Sequence, residues 1–229
     1  MSPKGRAPRP ARPGRPTGKR AQGTGGAAAR RGTPAKPARR APEATPAPAP
    51  VPLEPFRLTY VEGATPAKWI RAWIDRMPQR LEHELVTGEQ QLDALRAGEA
   101  DAAIVRLPID DDGLHVVRLY DERAFVVVPQ EHAAAELDSV VAADLVGEST
   151  IERGTMTWSE LVEVVASCAG IAIMPQSLAR LHQRRDVASL PVDDLPPTTI
   201  ALVWRHERDG DDVQALVAIT RGRSARSSR

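Results

Sequence analysis

Prolines crowd the start of this chain and decide what can fold. Thirteen of the 21 prolines fall within residues 1–55, and after Met1 no large apolar side chain appears there before Val51. Such a stretch buries too little apolar surface to offset its chain entropy, so a disordered tail is expected over residues 1–55. It is also a polycation. Its twelve Lys/Arg and two Glu give +10, whereas the remaining residues carry −9, so the overall +1 conceals a basic arm joined to an acidic body. A basic arm of this kind suits contact with a polyanion through phosphate neutralisation. Residues 223–229 form a second, short basic tail. Residues 56–222 are left to build the folded body, enough for one domain of ordinary size.

Within the body, strand-like and helix-like segments alternate. Phe56 to Glu62 reads as a strand. Thr65 is placed to cap the next helix, with Pro66 at its first position. Trp69, Ile70, Trp73, Ile74 and Met77 then recur at helical spacing as a core stripe. Leu81 to Val86 is a short strand. Thr87 and Gln90 suggest a capping box for a helix carrying Leu92 and Leu95 and closing at Gly98. Asp101 to Pro108 is an almost continuous apolar strand, as in a buried parallel sheet. Leu114 to Tyr120 and Arg123 to Val128 are further strands, and Ser139 to Leu145 a short helix. Residues 146–156 show no clear pattern. Thr157 and Glu160 form another capping box, opening a helix with Leu161, Val164, Val165 and Cys168 inward. Ile171 to Met174 is a strand, Ser177 to Arg184 a helix, Val187 to Val192 and Thr199 to Trp204 strands, and Asp211 to Thr220 a last helix. Such alternation predicts a mostly parallel sheet with right-handed crossovers.

Several chemistries find no support. Cys168 is the single cysteine; it allows no intramolecular disulfide and suits a reducing compartment. No apolar run approaches the ~20 residues that span a bilayer. The basic start lacks the apolar segment of a secretory signal, and its prolines oppose the amphipathic helix of a transit peptide. His83, His115, His132, His182 and His206 show no metal-pair spacing. Asp110, Asp111 and Asp112 precede Gly113 at a turn, without the rest of a calcium loop. There is no glycine-rich phosphate loop and no nucleophile elbow. No enzyme, metal or cofactor is expected.

Five segments, in order, carry a family resemblance. They are Phe56–Gly63, Leu92–Ile104, Val116–Glu122, Val126–His132 and Val162–Pro175. In this order the chain resembles the effector-binding (substrate-binding) domain of LysR-type transcriptional regulators. The resemblance implies an α/β, periplasmic-binding-protein-like two-lobed effector domain, with a small molecule in the cleft between lobes. Carried over residue by residue, the cleft would be lined by Gly63, Ala64 and Thr65 after the first strand and by Arg106, Leu107 and Pro108 after the third. Pro129 at the crossover and Pro175 with Gln176 would complete it. Strand ends and helix amino termini meeting there suit an organic anion, with Arg106 offering a bidentate contact.

The chain departs from the family in two places. Where the family carries a winged helix-turn-helix and a linker helix, this sequence has the basic tail. Only about fifteen residues lie between Leu145 and Leu161, so a shortened second lobe is expected. Within the tail, Arg12 to Arg20 resembles an AT-hook, with Gly14, Arg15 and Pro16 for an A·T minor groove and Lys19 and Arg20 for phosphates. Pro13 stands where that motif usually has arginine.

The combined expectation is a cytoplasmic, nucleoid-associated, non-catalytic regulator. Its partners would be a small-molecule effector, DNA through the basic tail, and a second subunit in a homodimer or heterodimer. The alternative is a degenerate effector domain acting as a protein–protein module with other regulators.

Overall fold

Apolar runs without alternation become strands covered on both faces, and they set the architecture. The computed structural model describes residues 53–222; the AT-hook-like segment with Gly14, Arg15, Pro16, Lys19 and Arg20 lies outside them. In chain order the elements are β1 (Phe56–Val61), α1 (Ala67–Arg76), β2 (Leu81–Val86), α2 (Asp93–Ala97), β3 (Ala102–Arg106), β4 (Leu114–Glu122) and β5 (Ala124–Pro129). There follow α3 (Trp158–Ala166), β6 (Ala172–Pro175), α4 (Gln176–Leu181), β7 (Val187–Pro191), β8 (Thr198–Arg205) and α5 (Asp211–Thr220). Short 3-10 turns at Ala133–Glu136, Ala142–Leu145 and His206–Arg208 complete the set.

Two sheets divide the body into two lobes. The first lobe holds a five-stranded sheet ordered β2-β1-β3-β8-β4, and the second a three-stranded sheet ordered β6-β5-β7. In the first, Phe56, Leu58, Ile104, Leu202 and Trp204 meet Trp69 and Trp73 of α1 and Leu216 of α5 on one face. Ala103, Val105, Ala201 and Val203 meet Leu95 of α2 on the other. In the second lobe β5 alternates. Phe125 and Val127 pack on α3 and α4, while Val126 and Val128 pack on Val140, Leu145 and Ile171.

The sheets are less parallel than the alternation predicts. Only β1–β2 and β1–β3 are parallel; β8 runs antiparallel to β3 and β4, and β5 runs antiparallel to β6 and β7. Since β6 and β7 both oppose β5, they run in the same direction, joined through α4 with β5 between them. Returning strands inserted between parallel neighbours cannot be read from alternation alone.

Local details also shift. Thr65 makes no capping bond to α1, whose cap position is Pro66. Trp69 and Trp73 are buried but Ile74 is 66% exposed, because it lies on the far edge of their stripe. Thr87 bonds the Gln90 side chain instead of opening a helix, and α2 starts only at Asp93. The Thr157 box does form: Thr157 Oγ1 accepts from Glu160 N at 3.2 Å, and Glu160 Oε2 accepts from Thr157 N at 2.7 Å. Cys168 lies past the end of α3 with φ 62° and is exposed, not inward. The unpatterned stretch 146–156 is anchored by Ile151 N to Ile171 O at 2.8 Å.

The chain crosses between lobes twice, at Glu122–Arg123–Ala124 and over residues 192–197. Arg123 Nη2 meets Asp193 Oδ1 at 2.5 Å, tying the two crossings together. Pro129 is not at a crossover. It ends β5 at the far side of the second lobe, because β5 begins right after β4 and runs its whole length away from the hinge.

Candidate functional site

A cavity of about 840 Å³ lies where the lobes face each other. The first lobe supplies Tyr60, Glu62, Gly63, Ala64 and Thr65 from the end of β1 and the turn after it, Leu85 from β2, and Tyr120, Asp121 and Glu122 from β4. The second supplies Gln176, Ser177, Arg180, Leu181 and His182 from α4 and its end. Leu85 and Leu181 are 55% and 57% exposed, one apolar lip on each lobe. Gly63 is required for this approach. Its φ is 84°, and an added Cβ would stand 2.5 Å from Ser177 Oγ, in a conformation L side chains avoid.

Under Gly63 lies Arg106. Its Nη2 and Nε sit 3.0 and 3.1 Å from Glu122 Oε2, and Nη2 also donates to Glu62 O at 3.1 Å and Ser177 Oγ at 3.2 Å. The two side chains are only 12% and 5% exposed. Gln91 fixes the arginine backbone, accepting from Arg106 N at 2.8 Å. The carboxylate that Arg106 binds is thus the protein's own. An effector carboxylate would have to displace Glu122, and stranding one member of a buried pair costs about 3–5 kcal/mol.

Among the described residues three polar side-chain contacts bridge the lobes across the cavity. Arg106 reaches Ser177 as described. Glu62 Oε1 lies 2.8 Å from His182 Nε2, and Glu89 pairs with Arg153. The Glu89 carboxyl is held below its usual range by its own backbone amide first and the Arg153 guanidinium next. Burial, then the neighbouring Glu122 charge, pushes the Tyr120 phenol up, so it stays a neutral hydroxyl in the wall.

Of the residues expected at the cleft, Gly63, Ala64, Thr65 and Gln176 line the cavity, and Arg106 lies beneath it. Pro175 is buried at the start of α4. Leu107 and Pro108 line a separate hollow with Val116 and Pro197, since the chain turns away after Arg106. Pro129 lines a third with His132 and Cys168. Sequence reasoning missed Tyr60, Glu62, Tyr120, Asp121, Glu122, Ser177, Arg180 and His182. Helical spacing offered one signal: Gln176, Ser177 and Arg180 share a face of α4. No group of three metal-ligating side chains forms among the described residues, and none of their helices is long and apolar enough to cross a membrane.

Residues 64–159 match the family model described as the LysR substrate binding domain. No curated protein sequence matches the chain. Among solved structures, the BenM effector binding domain with its effector benzoate superposes with a TM-score of 0.63 at 19% identity, covering 75% of this chain and 92% of that one. Full-length BenM gives 0.63 at 20% identity, over 76% and 68%. The reduced OxyR regulatory domain from Pseudomonas aeruginosa gives 0.57 at 21% identity, over 73% and 93%.

Proposed function

We propose that residues 56–222 form a LysR-type substrate-binding domain and are the sensory body of a non-catalytic transcriptional regulator. The observation that carries this reading is the cavity between two separately cored lobes joined by only two chain crossings. A small-molecule effector seated there would contact both lobes at once. Its differential affinity for open and closed arrangements would then shift their populations. The Arg106–Ser177, Glu62–His182 and Glu89–Arg153 contacts are ones that opening would break. The family match supports the regulatory role, and the BenM structure with benzoate supports a ligand at this type of fold.

The basic arm is proposed to add sequence-independent DNA affinity, with Gly14, Arg15, Pro16, Lys19 and Arg20 as the groove-binding segment. Such a regulator would act in the cytoplasm, as a homodimer or heterodimer. Two experiments test the reading. A thermal-shift screen of small organic compounds on the full chain should find stabilising ligands, as mass action requires. Thr65→Trp, which fills the cavity from an exposed position, should abolish that stabilisation. A silent panel would point to the protein–protein module instead. In mobility-shift assays the full chain should bind duplex DNA and residues 56–229 should not; equal binding by both removes the arm from the reading. Arg15→Ala should weaken A·T-rich duplex preferentially.

A further inference from the structure

The charges around the interlobe cavity are not those of an anion receptor. Arg106, the cation best placed to grip a carboxylate, is neutralised by Glu122 and further engaged by Glu62 O and Ser177 Oγ. Two other carboxylates, Glu62 and Asp121, line the cavity, against the cation Arg180 on α4. His182 is committed to Glu62 at 2.8 Å. Among the described residues Asp121 Oδ1 accepts from a neutral donor, Thr199 Oγ1 at 2.7 Å, and no cation there forms an ion pair with it. Tyr60, Tyr120, Leu85 and Leu181 give the wall aromatic and aliphatic surface, beside the neutral polar side chains of Thr65, Gln176 and Ser177. Tyrosine rings attract cations through their quadrupole, and a nearby carboxylate adds a charge-assisted hydrogen bond.

Resting on the cleft reading above, we infer that the effector is an organic cation with an apolar body, a protonated amine held by Asp121 against the tyrosine-lined wall, and not a carboxylate. The amine's N–H groups take the free acceptor positions of Asp121, the apolar body sits between Leu85 and Leu181, and Arg106 with Glu122 stays closed beneath Gly63 as a structural floor.

The test is calorimetric titration of the full chain with matched pairs of opposite charge, benzylamine against benzoate and phenethylamine against phenylacetate. The amines should bind and the acids should not. Asp121→Asn should weaken amine binding about tenfold, the loss expected for one hydrogen bond to a charged group. That substitution keeps an oxygen for Thr199, so the unliganded melting temperature should stay close to the parent's. Binding of the acids without the amines would overturn the charge assignment and leave the cleft reading standing. Amine binding that Asp121→Asn does not change would overturn the role of Asp121. Silence of both arms would reject the inference and the cleft reading together.

Discussion

The two lobes solve the same problem with unequal means. The first covers five strands with α1 and α5 on one face and α2 on the other, and three of the chain's four tryptophans, Trp69, Trp73 and Trp204, are buried there. The second covers three strands with α3, α4 and short turns, and its core is small and aliphatic apart from Phe125 and the partly buried Trp158. Aromatic side chains bury the most area per residue, so the first lobe has more hydrophobic stabilisation. The half with the smaller core is expected to open locally at lower free energy.

The largest expected effect tests this contrast directly. Trp73 is fully buried and its Nε1 donates to Gln79 O at 2.8 Å. Trp73→Ala should lower the unfolding free energy by about 5 kcal/mol, through lost transfer energy and a large cavity. Phe125→Ala, its counterpart in the second lobe, should cost about 3 kcal/mol. Denaturant titration measures both, and an equal or larger loss from Phe125→Ala would break the contrast.

Next comes the junction. Arg106→Met strands the buried Glu122 carboxylate and should cost about 3–4 kcal/mol. Adding Glu122→Leu should recover most of that loss, because the stranded charge is then gone. A double mutant no more stable than Arg106→Met would mean that the contacts to Glu62 O and Ser177 Oγ matter more than the ion pair.

A smaller effect should stay inside the second lobe. An added Cβ on Gly170 would stand 2.1 Å from Ser149 O, at a φ of 156°. Gly170→Ala should therefore push the 149–151 segment off Ile171 and cost about 1–3 kcal/mol. Trp158 is the second lobe's tryptophan, so its fluorescence should show an earlier transition while Trp69, Trp73 and Trp204 keep theirs. A single shared transition, unshifted in order, would show the lobes unfolding as one unit.

These elements also show what the sequence could disclose. The run Ala102–Val105 announces a strand buried on both faces, Thr157 with Glu160 fixes the start of α3, and Gly98 at φ 77° ends α2 as its position suggests. Each depends on neighbours within a few residues. The cleft does not. Arg106 finds Glu122 sixteen residues on and Ser177 seventy-one residues on, and neither distance leaves a local pattern. The resemblance therefore pointed to Gly63, Ala64 and Thr65, on the turn after β1, and to Gln176, at the start of α4, positions with recognisable local grammar. It could not foresee that the expected anion ligand is already paired. The antiparallel second sheet was hidden for the same reason, since strand insertion is a long-range choice.

The smallest effect concerns how acid acts on the first lobe. Arg208 binds Asp101 through Nε at 2.7 Å and Asp212 through Nη1 at 2.8 Å and Nη2 at 2.6 Å, clasping α5 to the start of β3. The Arg208 hydrogen bonds hold the Asp212 carboxyl below its usual value. A carboxyl depressed on folding stabilises the protein above its unfolded pKa, and that contribution is lost as pH falls through the folded one. Asp212→Asn should therefore cost about 1 kcal/mol at pH 7, discounted for partial exposure. The gap to the parent should begin to narrow as pH falls below about 4, the range of an unperturbed carboxyl, and close only once pH has passed below the depressed folded value. Urea titrations across that range measure it. A gap that persists at low pH would assign the loss to packing around α5 and remove the clasp from the account of the first lobe's advantage.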